Sequence, residues 1–408
     1  MRILLWHGYL LGGTGSNVYT RSIAREWRRA GHDVVVVSQE PNPELFDLGG
    51  AETVRPDIGG LLPVFVLDRY EGMEAKLLQD TTAQERGRFV GANAAALRDL
   101  APADLVFANH VLLGAPVGAA SGLPFGVKAH GSELEYSMRG NEELARWGKE
   151  KLADARAVFV GSGHIREVLE DVVGHVDRVH EVPPGVDVHE FHPERRDDAL
   201  ANLVEEARRD PPNTGNANER LPDEGNAGRL AEFLRPNRPT VLYFGKLLRN
   251  KGVHLLLEAL RRVDARAVIV GFGDYRQELE AMAGPDVLFT GPLEHRHLVH
   301  LIPLADVTVV PSIFPEAFGM VAAEAASGGS LPLVARHSGL AEIADALEEE
   351  GVPAAFETDN VDDLVEKLES LLGRSESERE ELRRRARRVV EQRWSWASVA
   401  DRLLEPFT

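Results

Sequence analysis

The chain has 408 residues, more than one ordinary core holds, so two domains of about 150–200 residues each are expected. Hydrophobic residues make up 43% of it, enough for two cores, and the absence of cysteine excludes disulfides, thiolate nucleophiles and cysteine-rich zinc sites and fits a reducing compartment. The net charge of −19 disfavours nucleic acid and broad electrostatic attachment to anionic lipid.

The apolar start, residues 3–10, is too short to span a membrane and runs at once into glycines, so it reads as a first β-strand. The turn Gly12-Gly13-Thr14-Gly15-Ser16-Asn17 follows and opens a helix over 16–30. Short apolar runs at 32–39, 104–110, 125–131 and 157–162 continue the pattern, with helical segments between several of them. Such runs are strands buried on both faces, the mark of a parallel sheet wrapped in helices. A charged stretch rich in Pro, Asn and Gly separates this series from the next. We take 195–238 as a flexible insertion, with 210–228 a mobile surface loop. A second series has strands at 240–245, 265–273, 286–291, 306–312 and 331–336, and helices at 252–263, 274–283, 295–303, 319–327 and 340–346. An amphipathic helix closes the chain. The expected fold is α/β, two doubly wound parallel-sheet domains in tandem. Their bounds are 1–185, joined by the last helix at 395–408, and 186–394.

Chemistry concentrates where strands hand over to helices. Gly13 lies in the first such turn, where exposed amides at a helix start favour an anionic group. Val18 stands where a dinucleotide fingerprint needs its third glycine, so NAD is a poor fit. In the second series, 244–252 contains Lys246 and Lys251 in a chain with only seven lysines against thirty-nine arginines. A compact ammonium suits a phosphate oxygen. Gly273 belongs to another strand–turn–helix junction, 271–274. The segment 315–325 carries Glu316 just before a small-residue helix that Phe318, Gly319 and Met320 would open, and Glu324 about two turns inside it, roughly 10–12 Å further on. One carboxylate can reach a sugar while the other reaches a ribose. The bland alternative has Glu316 as a helix cap and Glu324 as a solvated residue. In the first series His130 ends a strand; a lone histidine is usually packed or surface-exposed, but at a strand's C-terminal edge it can meet a sugar hydroxyl or an acceptor. Arg21, Arg25, Arg28 and Arg29 form a stripe on the first helix, either a solvated face or a membrane-surface contact.

Together these segments resemble the family-four glycosyltransferases of the GT-B fold, the retaining nucleotide-sugar transferases. The likeness covers nearly the whole chain except the central insertion. Glu316 and Glu324 match the family's Glu-x7-Glu pattern. Lys246 and Lys251 match its phosphate-binding pair, with lysine where relatives often carry arginine first. Residues 183–193, PPGVDVHEFHP, match its interdomain segment, with Pro184 in place of the usual Asn.

The resemblance implies two Rossmann-like domains facing across a cleft and a UDP- or GDP-sugar foremost as donor. It gives Gly13 a phosphate contact and His130 a donor-sugar contact. Lys246 and Lys251 would neutralise the departing diphosphate, and Glu316 would bind sugar hydroxyls. Amides around Phe318 and Gly319 would meet sugar or phosphate, and Glu324 the ribose. We group His130, Lys246, Lys251 and Glu316 as catalytic, and Gly13, Gly273, Phe318, Gly319, Met320 and Glu324 as donor-binding. No Asp-x-Asp occurs, so a metal-independent reaction without cofactor is expected, in the cytoplasm or at the inner membrane face. The acceptor is open between glycan, lipid and small molecule, and no nucleic acid partner is expected. A nucleotide-sugar epimerase, a sugar-phosphate synthase or an inactive nucleotide-sugar-binding module are the alternatives.

Overall fold

The computed structural model describes residues 1–13, 15–65 and 73–408; Thr14, in the first glycine-rich turn, lies outside them. The chain forms two compact units, one from Met1–Gly185 with Trp396–Thr408 and one from Val186–Ser395. The first holds β1 (Arg2–Trp6), β2 (Asp33–Val37), β3 (Glu52–Val54), β4 (Leu61–Val64), β5 (Glu74–Leu77), β6 (Leu105–Asn109), β7 (Phe125–Lys128), β8 (Ala157–Val160) and β9 (Val179–Glu181). Seven of these make one parallel sheet in the order β3-β2-β1-β6-β7-β8-β9, while β4 and β5 pair separately. Strand alternation divides the apolar side chains between the two faces. Ile3 and Leu5 pack with Tyr19, Ile23, Trp27 and the last helix, Trp396–Leu404; Leu4 and Trp6 pack on the other face with Phe89, Val106 and Val127. The indole N–H of Trp27 donates to the Ala400 carbonyl at 3.0 Å, fixing that helix beside Ser16–Arg29.

The second unit holds β10 (Thr240–Phe244), β11 (Arg266–Val270), β12 (Val287–Phe289), β13 (Val307–Val310), β14 (Leu331–Ala335) and β15 (Ala355–Phe356). They form a parallel sheet in the order β12-β11-β10-β13-β14-β15. Counted within the unit this is 3-2-1-4-5-6, the doubly wound order whose direction reverses between its first and fourth strands. In both units the strand that comes first in the chain, β1 or β10, has neighbours on either side that lead away in opposite directions. Ligands of such sheets gather beyond the carboxyl ends of the strands at that reversal.

The stretch 195–238 differs from its expected form. It folds into the helices Arg196–Arg208 and Asn226–Leu234, which bury Ala199, Leu203, Leu230 and Leu234 in the core of the second unit. Even 210–228, poor in apolar residues, is tied down. The buried Asn213 side chain donates to the Pro222 carbonyl at 2.9 Å and accepts from the Asn218 N–H at 3.0 Å. Buried polar groups hold this segment where hydrophobic burial would not.

Candidate functional site

In the second unit the loop after β10 and the loop after β13 meet at the sheet reversal. The β10 loop runs through Gly245 and Lys246 into a short turn of helix, Arg249–Lys251, and then Gly252. Gly252 has φ +69°, and a Cβ there would lie 1.8 Å from the Pro311 carbonyl oxygen, so only glycine lets the loops approach this closely. The Ile313 N–H donates to the Asn250 carbonyl at 3.0 Å, a second stitch between them. The result is an ion pair: Lys251 Nζ lies 2.5 Å from Glu316 Oε1.

Glu316 is therefore no helix cap; that position belongs to Gly319, at φ +112°, ahead of the helix Met320–Gly328. A Cβ on Gly319 would press on Leu340 at 2.7 Å. The Glu316 backbone is fixed from the next loop. Its N–H donates to Ser338 Oγ at 2.9 Å, and its carbonyl accepts the Gly339 N–H at 3.0 Å. His337 lies 2.6 Å through Nε2 from the Ser312 carbonyl and 3.0 Å through Nδ1 from Ser338 Oγ. A carbonyl can only accept, so Nε2 carries the proton and Nδ1 accepts from the serine hydroxyl. This chain of bonds fixes the Glu316 backbone from behind. Tyr243 sits close enough for Glu316 to help burial raise its phenol pKa.

Lys246 is exposed, and among the described residues no carboxylate pairs with it. Its carbonyl accepts the Tyr243 hydroxyl at 2.8 Å, and the next residue ties its loop to the turn after β11, the Leu247 N–H donating to the Phe272 carbonyl at 2.8 Å. Gly273 lies in that turn. Phe318 is buried in the core, and its ring meets Trp394 edge-on at 5.5 Å between centroids. Its side chain is thus structural, and only its backbone can serve a ligand. Met320, half-buried, is the first helical residue. Glu324 is half-buried and its carboxyl is pushed up to about 7 by burial, against the pull of His295. His295 itself is held at 2.6 Å by Glu190, which raises its pKa.

In the first unit, Gly13 occupies an exposed turn ahead of the helix Ser16–Arg29. His130 does not stand alone. His7 follows β1, His110 follows β6 and His130 lies two residues past β7, three neighbouring strands of one parallel sheet. The His110 and His130 rings lie 4.6 Å apart and those of His7 and His110 6.1 Å apart. His130 Nε2 donates to Asn109 Oδ1 at 2.9 Å, and His7 Nε2 to Asn17 Oδ1 at 2.8 Å. Burial lowers all three pKa values, His7 to about 4 and the other two well below 6.5. All three are neutral near pH 7, each able to donate from one nitrogen and accept at the other. The buried Glu133 accepts N–H groups of Val111, Leu112 and His130 at 2.8, 3.0 and 3.0 Å, yet burial still pushes it up to about 8. His110 has φ +72°, strained for a residue with a Cβ, and among the described residues neither ring nitrogen has a hydrogen-bond partner. Sequence reasoning missed His7, Asn109, His110, Glu133, His295 and His337. A signal existed for the first unit: a histidine inside or at the end of each of three expected strands, 3–10, 104–110 and 125–131.

The arginine stripe on the first helix is engaged within its own unit. Arg25 faces Asp47, Arg28 faces Asp33, Arg29 pairs with Glu26 at 2.8 Å, and Arg21 stacks on Phe46. Three of the four arginines thus face carboxylates of their own unit. No helix among the described residues is long and apolar enough to cross a membrane.

Two family descriptions match the chain: Glycosyltransferase Family 4 over residues 13–190 and Glycosyl transferases group 1 over 229–389. The D-inositol 3-phosphate glycosyltransferase of Xylanimonas cellulosilytica is 33% identical over 208 residues, 47% of this chain and 44% of that protein. Its counterpart from Nocardia farcinica is 29% identical over 64% of this chain and 54% of its own length. The chain thus covers less than two thirds of either relative. Among solved structures, Anabaena HepE in complex with UDP superposes with a TM-score of 0.70 at 16% identity over 99% of both chains. Sucrose-phosphate synthase from Thermosynechococcus elongatus does so at 0.63 and 19% identity, over 99% of this chain and 97% of that one. The structural likenesses establish the GT-B fold, and with the two family matches the chain belongs to the family-four, group 1 glycosyltransferases.

Proposed function

We propose that the protein is a retaining, metal-independent glycosyltransferase that moves a hexosyl group from a nucleoside-diphosphate sugar, UDP- or GDP-linked, to an acceptor hydroxyl. The observation that carries this reading is the Lys251–Glu316 pair at the reversal point of the second sheet, beside the exposed Lys246 and the open helix start at Gly319. Breaking the sugar C1–O bond places negative charge on the departing diphosphate. Two ammonium groups and unpaired peptide amides are suited to absorb it, and aimed donors of this kind supply the largest part of such catalysis.

Glu316 then has two tasks. It holds Lys251 in place, and it accepts hydrogen bonds from sugar hydroxyls. Glu324, as a carboxylate, accepts from the ribose hydroxyls. In the first unit Gly13 offers its N–H to phosphate, and His130, neutral, meets a sugar hydroxyl. The acceptor oxygen forms the new bond to C1 on the face the diphosphate leaves, and its proton passes to a phosphate oxygen, so no covalent sugar–enzyme intermediate is required. UDP, GDP and ADP, followed by their sugars, should be tested by thermal shift. A ligand that binds only the folded state raises the melting temperature, by about 2.7 kcal/mol of stabilisation at a hundredfold excess over Kd. Products from the preferred donor, examined by NMR for anomeric configuration, then test retention. No shift with any nucleotide would refute the donor reading, and an inverted product would refute the retaining one.

A further inference from the structure

Within the second unit the segment 210–229 is anchored at Asp210, whose carboxylate accepts from Arg296 at 2.5 Å, and again around Asp223. It crosses the carboxyl ends of β11 and β12, on the outer side of the sheet. The Asp223 N–H donates to the Thr290 carbonyl at the end of β12, 2.8 Å away. Its carboxylate, almost wholly buried, accepts from the two terminal guanidinium nitrogens of Arg276 at 2.8 and 2.6 Å. Arg276 begins the helix that follows the turn 271–273, and its N–H donates back to Gly273 at 3.0 Å. The two turns are themselves bonded, Gly271 N–H to Gly291 carbonyl at 3.0 Å. One aspartate of the insertion thus fixes both turns. Three residues earlier Arg220, exposed, lays its guanidinium over the Phe272 ring, 5.9 Å from its centroid.

This location is informative if the donor lies as proposed above, a reading on which the inference rests. The diphosphate end belongs to Lys251 and Gly319, at β10 and β13. The ribose end belongs to Glu324, which lies within electrostatic reach of His295, the first residue of the helix after β12. The nucleoside therefore runs from the reversal point toward the β12 side, where Phe272 and Arg220 stand. A ring face capped by a guanidinium is a surface on which a planar base stacks.

We propose that Arg220 and Phe272 form the outer wall of the nucleobase pocket, and that Asp223, through Arg276, is the positioning residue that holds this wall in place. The insertion then governs which base is accepted and leaves the diphosphate to the lysines.

The test uses the full chain and calorimetry with UDP, GDP and ADP, and with inorganic pyrophosphate as a probe lacking the base. For Arg220→Ala, a surface change, we expect the best-bound nucleotide to weaken about three- to tenfold, the range of a partly desolvated cation–π contact, with pyrophosphate within about twofold of wild type. Arg220→Lys should recover part of the loss. Asp223→Asn should raise the donor KM more than it lowers kcat and narrow the preference among bases. Nucleotide and pyrophosphate affinities that are both unchanged in Arg220→Ala, or that fall together, overturn the inference while leaving the donor site intact. Failure of the wild type to bind any of the three nucleotides overturns the donor reading itself, and the inference with it.

Discussion

Lys251 and Glu316 satisfy one another at 2.5 Å, each about three-quarters buried, so removing one leaves the other with no counter-charge at a site built to receive an anion. For Lys251→Ala the expected loss of transition-state stabilisation is about 3 kcal/mol, roughly a hundredfold or more in kcat, as for other preorganised electrostatic donors. Steady-state kinetics decide it, and turnover like that of the wild type would remove the lysine from the chemistry. Glu324 yields a pH prediction of definite sign. Its carboxyl is raised to about 7, so it gains charge as pH rises through neutrality. If the ribose binds the carboxylate, donor affinity should rise between about pH 6 and 8, by up to about tenfold, and Glu324→Gln should give a flat profile at the weaker level. Titrations at both pH values in the two proteins check this, and a wild-type affinity that falls over the interval contradicts it.

At the scale of elements, the closeness of the loops after β10 and β13 depends on Gly252. Gly252→Ala must place a Cβ into the Pro311 carbonyl and hold a left-handed backbone as well. We expect a stability loss of at least about 2 kcal/mol and separation of Lys251 from Glu316. Thermal unfolding and turnover would register both, and a variant with unchanged melting temperature and rate would show the loops free to part. Elements of this kind were legible from the sequence to different degrees. The long apolar strands were read well: residues 240–244 are buried throughout as β10, and the last helix was recognised by its amphipathic pattern. The short strands β3, β4, β5, β9 and β15 were not seen, because two to four residues are too few to carry a periodic signal. The insertion was misjudged for a related reason. Composition shows that 210–228 has little to bury, but not that Asn213 and Asp223 will find buried partners. Likewise Glu316 was legible as a site residue, whereas its support by Ser338 and His337 depends on contacts 22 and 25 residues away that no local pattern encodes.

For the whole molecule, the unusual feature is how many titrating groups are buried beneath a strongly acidic composition, and the acid limb of stability follows from them. His7, folded, has its pKa lowered to about 4, against about 6.5 in an unfolded chain. Between those values the unfolded state holds a proton that the folded state refuses, so stability falls as pH drops from about 6.5 to about 4, by up to about 3 kcal/mol for this residue alone. His110 and His130 act in the same direction. Glu133 acts oppositely. Its folded pKa of about 8 lies above the unfolded 4.5, so its contribution is greatest in acid and is lost as pH rises through about 8. Glu324, raised to about 7 in the second unit, acts as Glu133 does, so from about pH 4.5 to 6.5 three imidazoles oppose two carboxyls, and the net slope is destabilising toward acid. Denaturant unfolding followed at a series of pH values should therefore show stability decreasing below about pH 6.5, and His7→Gln, which has no proton to take up, should lose less over the same interval. Equal losses in the two proteins would mean that the His7 ring is hydrated and titrates normally in the folded state, and the neutral donor–acceptor role given to the cluster would fail with it.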